Sequence, residues 1–182
     1  KTIDMTNSTG SIGIQALNGA RIQNDGEIRV GASTSTSTGI GMYGENIAGA
    51  LTSINNTGNI IITADKGTGI VTKNMELGGT VTNSGSIKNL SSQVGTIGIY
   101  SVINPLFTPT SVGTGTVTNS GNIIFDVSTV TDTNKVSRMM GMYLTNGAVG
   151  IYVNNGIIDW NYTGTATNEY GTWNVVNGQV VF

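Results

Sequence analysis

The chain has 182 residues, enough for one substantial domain. Only 10% are charged, and the net charge is −2. Its 8 Lys and Arg are scattered, so the clustered basic footprint of a nucleic-acid binder is absent. With no Cys and no His, disulfides, thiol chemistry and the commonest general base and metal ligand are excluded. No apolar run reaches the ~18 residues of a membrane-spanning helix, and no signal peptide opens the chain. Lys1 begins within a repeating pattern, as expected of a fragment or processed form.

Two motifs alternate from the first residues onward. One is Gly-Ile/Met-x: Gly13-Ile14-Gln15, Gly41-Met42-Tyr43, Gly69-Ile70-Val71, Gly98-Ile99-Tyr100 and Gly141-Met142-Tyr143. An Asn follows at a near-constant offset in Asn18, Asn46, Asn74 and Asn146. The other is Ile/Val-x-Asn-x-Gly-x-Ile, as in Ile22–Ile28 and Ile54–Ile60, with later copies around Asn83, Asn119 and Asn154. Short runs on each side of the turns alternate with the period of a strand. Gly and Asn hold the joints, where positive φ is expected at Gly26, Gly58, Gly85, Gly121 and Gly156. Helical periodicity with caps is absent.

A unit of this length cannot bury its own apolar face, but it can when stacked on copies of itself. The spacing predicts an all-β parallel β-helix of about five to six coils with almost no α-helix. At ~4.8 Å per coil, five coils stand roughly 25 Å tall. Aligned on the turns, Ile28, Ile60, Ile87, Ile123 and Ile158 form one interior column. Ile14, Met42, Ile70, Ile99 and Met142 form another, and Ile22, Ile54, Val81, Val117 and Tyr152 a third. An amide both donates and accepts. Asn24, Asn56, Asn83, Asn119 and Asn154 can therefore form a hydrogen-bonded ladder along the axis, with Asn18, Asn46, Asn74 and Asn146 as a second ladder.

Insertions in a solenoid map to loops, often on a binding face. The sharpest contact candidate is the insertion holding Pro105, Leu106, Phe107 and Pro109, since Leu106 and Phe107 have no place in the columns. The alternative is that both fold back over the coil wall. A second excursion over 127–138 carries Lys135 and Arg138. Residues 159–182 hold five of the eleven aromatics and read as a last rung or cap. Within them Val175–Val180 fits either another rung, the favoured reading, or a hairpin around Asn177-Gly178.

Catalysis on such a fold needs paired carboxylates or acidic clusters. The ten carboxylates do not recur in one column, so they read as surface charge. Asp25, Glu27 and Asp65 are the ones a polysaccharide-degrading enzyme would have to use. The calcium-binding Gly-Gly-x-Gly-x-Asp repeat is absent, and no cofactor or metal is expected. Thr80, Thr82, Thr116 and Thr118 make a short hydroxyl array that the neighbouring units do not continue.

The Thr-Asn-Ser-Gly-x-Ile repeats alternating with Gly98-Ile99-Tyr100-type segments resemble the passengers of type V autotransporter adhesins, in particular the RadD-like surface adhesins of fusobacteria. The resemblance covers essentially the whole chain. It implies a right-handed β-helix outside the outer membrane, anchored in the parent protein by a C-terminal β-barrel. It also implies attachment to a surface protein or glycan of host cells or partner bacteria. No family binding residue can be transferred, because these motifs build the scaffold. A passive stalk, with binding elsewhere in the parent, is the principal alternative.

Overall fold

The computed structural model describes residues 1–32, 37–46, 50–74, 78–90, 96–102, 115–126, 139–144 and 150–160, and the backbone of strands within 164–181. Among the described residues there is no helix. Strands are numbered in chain order, and three parallel sheets run along one axis. Sheet 1 contains β1 (Thr2–Met5), β4 (Glu27–Val30), β7 (Asn59–Ile62), β10 (Ser86–Asn89), β13 (Asn122–Phe125) and β16 (Ile157–Trp160). Sheet 2 contains β2 (Gly10–Leu17), β5 (Thr38–Glu45), β8 (Thr68–Lys73), β11 (Ile97–Val102) and β14 (Met140–Leu144). Sheet 3 contains β3 (Arg21–Asn24), β6 (Ser53–Asn56), β9 (Thr80–Asn83), β12 (Thr116–Asn119) and β15 (Ile151–Asn154). Each coil passes through sheets 2, 3 and 1 in turn, so among the described residues β2–β16 form a parallel β-helix of five coils, preceded by β1.

Equivalent residues pair coil to coil. Ile28 lies on Ile60, Ile60 on Ile87, Ile87 on Ile123 and Ile123 on Ile158. The first four are buried, and Ile158 packs against the core at its edge. Met42, Ile70 and Ile99 are buried in the sheet 2 column, and Ile14 and Met142 close its ends. Ile54, Val81 and Val117 are buried in sheet 3, between Ile22 and Tyr152. A further column in sheet 1 ends in Phe125 and Trp160, whose rings stack at 5.4 Å.

The corner between sheets 3 and 1 carries a continuous amide ladder. Asn24 Nδ2 donates to Asn56 Oδ1 at 2.7 Å, Asn56 to Asn83 at 2.7 Å, Asn83 to Asn119 at 2.6 Å and Asn119 to Asn154 at 2.7 Å. The turn backbone also bonds along the axis. Gly58 N–H donates to Asn24 O and Asn59 N–H to Gly26 O, at 2.9 and 2.8 Å. Strand and corner amides alike therefore find partners in the neighbouring coil, which lets a polar turn lie against a dry core.

Two expectations about the corners are corrected. Gly26, Gly58, Gly85, Gly121 and Gly156 do not have positive φ; among the described residues the glycines with positive φ are Gly19, Gly31, Gly78, Gly79 and Gly150. The turn glycines are required by close approach. A Cβ at Gly85 would lie inside the van der Waals radius of Gly58 O, and one at Gly121 would collide with Gly85 O in the same way. The second expectation concerned Asn18, Asn46 and Asn74, which do not form an amide-to-amide ladder. Asn46 Nδ2 donates to Asn74 O at 3.2 Å, and Asn74 Nδ2 to Asn46 O at 3.1 Å. Left-handed backbone at Asn18 and Asn74 (φ 54° and 61°) turns the chain there, and the Asn46 and Asn74 amides bond to backbone instead of to each other. Asn146 lies outside the described residues.

The rung expected over Val175–Val180 is also replaced. Strands β17 (Gly164–Asn168), β18 (Gly171–Val176) and β19 (Gln179–Val181) pair antiparallel with one another, so the hairpin reading applies. Asp159 and Trp160, by contrast, belong to β16 in the parallel sheet.

Candidate functional site: the outer face of sheet 2

Sheet 2 differs from the other two because its strands break alternation. In β5, Gly41 and Met42 are buried in succession. A Cβ on Gly41 would be 2.6 Å from Gly69 O and would run into Ile60 Cγ2, so this position points inward and must be glycine. Gly13, Gly69 and Gly98 repeat the arrangement against Ile28, Ile87 and Ile123. Two successive inward positions move the outward side chains to three-residue spacing. The outer face then carries one register column of Ile12, Ile40, Thr68, Ile97 and Met140, and a second of Gln15, Tyr43, Val71, Tyr100 and Tyr143.

These columns put apolar and aromatic groups on the outside of a weakly charged rod. Ile12 is 39% exposed and Tyr143 40%. Tyr100 and Tyr143 stack at 5.4 Å with their planes 13° apart. Their faces therefore cover each other along the axis, and their edges are left for contact. At the C-terminal ends of β5 and β8 Glu45 Oε1 pairs with Lys73 Nζ at 2.9 Å, and Tyr43 Oη donates to Glu45 Oε2 at 2.8 Å. Burial pushes the Glu45 carboxyl up, but hydrogen bonds from Lys73 and Tyr43 and the Lys73 charge outweigh it and hold the carboxyl below its ordinary value. Burial, with the Glu45 carboxylate beside it, pushes the Tyr43 hydroxyl well above the usual phenol range.

Coil three interrupts both columns with small residues. Thr68 lies between Ile40 and Ile97, and Val71 between Tyr43 and Tyr100. Although they face outward, they are recessed to 9% and 6% exposure. Above this notch and the glycines at the start of the sheet lies a groove of about 470 Å³. Ile12, Ile40, Val71 and Tyr100 line it with apolar surface, while Thr38, Thr68 and Lys66 supply polar groups.

The carboxylates required by an enzyme reading sit apart. Asp25 and Glu27 lie at the corner between sheets 3 and 1 of the first coil, and Asp65 lies between β7 and β8, where the second coil passes into the third. Asp25 accepts from Gln23 Nε2 at 2.6 Å and Thr57 Oγ1 at 2.7 Å, and both bonds hold its pKa below the ordinary value. Glu27 pairs with Arg29 at 2.7 Å, and Asp65 is buried. A smaller cleft of about 310 Å³ beside Asp25 and Glu27 is bounded by Lys1, Ile3 and Gln23. Among the described residues no three His, Cys, Asp or Glu side chains come together.

Pro105, Leu106, Phe107, Pro109, Lys135 and Arg138 lie outside the described residues. The outward columns of sheet 2 were not identified as a site from the sequence. The available signal was Tyr43, Tyr100 and Tyr143 recurring directly after the inward Ile or Met. No protein-family model, curated protein or solved structure matches this chain.

Proposed function

We propose that this chain is a non-catalytic segment of a bacterial cell-surface adhesin, working outside the cell in a parent protein held by an outer-membrane β-barrel. It attaches the cell to a surface protein or glycan of host cells or partner bacteria. Within the described residues, attachment runs through the outer face of sheet 2. The observation that supports this is the pair of outward apolar and tyrosine columns, exposed at Ile12 and Tyr143 and notched at Thr68 and Val71, on a rod whose interior is already filled by its own columns. Apolar and aromatic groups gathered on one outer face and rimmed by polar groups are a feature of interaction sites. The repeats and their resemblance to autotransporter passengers supply the setting.

The test is adherence of beads coated with the folded chain to epithelial cells and to other bacteria. Three coatings are compared: the native chain, Tyr100→Ser/Tyr143→Ser, and a variant with Pro105–Thr110 replaced by a short turn. Saturable adherence lost in the tyrosine variant supports the sheet 2 face, while loss only in the loop variant moves the contact to the insertion. A folded chain that adheres to nothing is a stalk. Polysaccharide turnover that vanishes on substituting Asp25, Glu27 or Asp65 would replace the adhesin reading with an enzymatic one.

A further inference from the structure

The notch in coil three has a chemistry more specific than an apolar patch. Its floor is Val71, recessed beside the larger Tyr100 and next to Ile40. Its polar lining residues are Thr38, Thr68 and Lys66, with the buried Ser11 beside them. Among the described residues Lys66 has no carboxylate partner, whereas Lys73 and Lys88 pair with Glu45 and Asp126. A volume of about 470 Å³ falls within the range of small-molecule sites.

We propose that this groove binds a sugar acid: a single pyranose ring carrying one carboxylate. An apolar ring face would rest on Val71 and Ile40 against the edge of Tyr100. Ring hydroxyls would meet Thr38 and Thr68, which can donate and accept. The carboxylate would meet Lys66 as a charge-assisted pair. One cation in the lining suits one carboxylate; a densely sulfated polymer would need several. The inference rests on the adhesin reading and names the ligand class of the same face.

The experiment is a titration of the isotope-labelled chain with glucuronate, followed by amide chemical shifts. Glucose, glucuronate methyl ester and an acidic aromatic dipeptide serve as comparison ligands. Saturable shifts confined to the groove lining, at 38–40, 66–71 and Tyr100, with glucuronate preferred over both neutral sugars, are expected. Lys66→Gln should weaken binding by about tenfold or more and remove the preference. Val71→Tyr should abolish binding without unfolding the chain, because Tyr43, Tyr100 and Tyr143 already occupy the same column. Equal binding of glucose and glucuronate, undiminished binding in the Val71→Tyr variant, or preference for the dipeptide would each overturn the proposal. Adherence to cells that persists in Val71→Tyr overturns this ligand and leaves the adhesin reading standing. Glucuronate binding without adherence to any cell does the reverse.

Discussion

Asn83→Ala should cost far more than its single missing amide suggests. Asn83 is fully buried at the centre of the ladder. Its Oδ1 accepts from Asn56 at 2.7 Å and its Nδ2 donates to Asn119 at 2.6 Å. Truncation strands a donor on one side and an acceptor on the other, both shut off from water. Each stranded group costs about 1–3 kcal/mol, and the small cavity adds about 1 kcal/mol. The expected loss is about 3–7 kcal/mol. At ~2–4 °C per kcal/mol for a chain of this size, that lowers the melting midpoint by about 6–28 °C. Asn154→Ala removes the exposed last member of the same ladder, where water replaces the lost bond, and should cost about 1 kcal/mol or less. Thermal and urea unfolding by circular dichroism measures the difference. Hydrogen exchange should also show protection falling at Gly85 and Gly121, whose N–H groups donate to Asn56 O and Asn83 O. Equal, small losses in both variants would refute the ladder as a source of stability.

A related variant tests the ladder by pH. Asn83→Asp places a carboxyl where a donor to Asn119 is needed, so burial and the facing oxygen raise its folded pKa. The variant should be most stable in acid, where the protonated group can donate, and should lose stability as pH rises through the raised value; urea midpoints that do not fall between pH 4 and 8 would contradict this. Gly85→Asn should be about as damaging as Gly85→Val, on the order of 3 kcal/mol or more, because the obstacle is Gly58 O and not positive φ. Tolerance of Asn but not Val in melting experiments would restore the φ explanation. Ile87→Asp puts an unpaired charge into a column only 1% exposed, so the variant should fail to fold cooperatively, and an unchanged melting curve would sink the column assignment. The lowered Glu45 pKa means that its pairing stabilises the fold above the ordinary value of 4.5 and that this contribution is lost as pH falls through the lowered folded value. Glu45→Gln should therefore flatten the acid limb of the stability profile.

The columns of Ile28 and Ile14, the Asn24-to-Asn154 ladder and the all-β stack were legible in the sequence. A solenoid repeats one environment per coil, so aligning the turns reproduces its real register. What repeats with the period can be found without coordinates. What depends on the distance between coils cannot. Gly85 reads as a turn residue of positive φ until Gly58 O is seen beneath it. Asn46 and Asn74 share a column with the right period, yet left-handed backbone at Asn74 aims their amides at carbonyls instead of at each other. Val175–Val180 carries the repeat's pattern, and strand direction, which no side-chain pattern encodes, makes it part of an antiparallel unit. The outer face of sheet 2 was hidden for the same reason. Only the paired inward positions Gly41 and Met42 shift the alternation, and only that shift puts Tyr43, Val71 and Tyr100 in one outward column, with Val71 and Tyr100 in the groove that Lys66 also lines. The repeat in the sequence determined what stacks. The separation and direction of neighbouring backbones, which only the tertiary structure decided, determined which side chains face the solvent and therefore what the rod can bind.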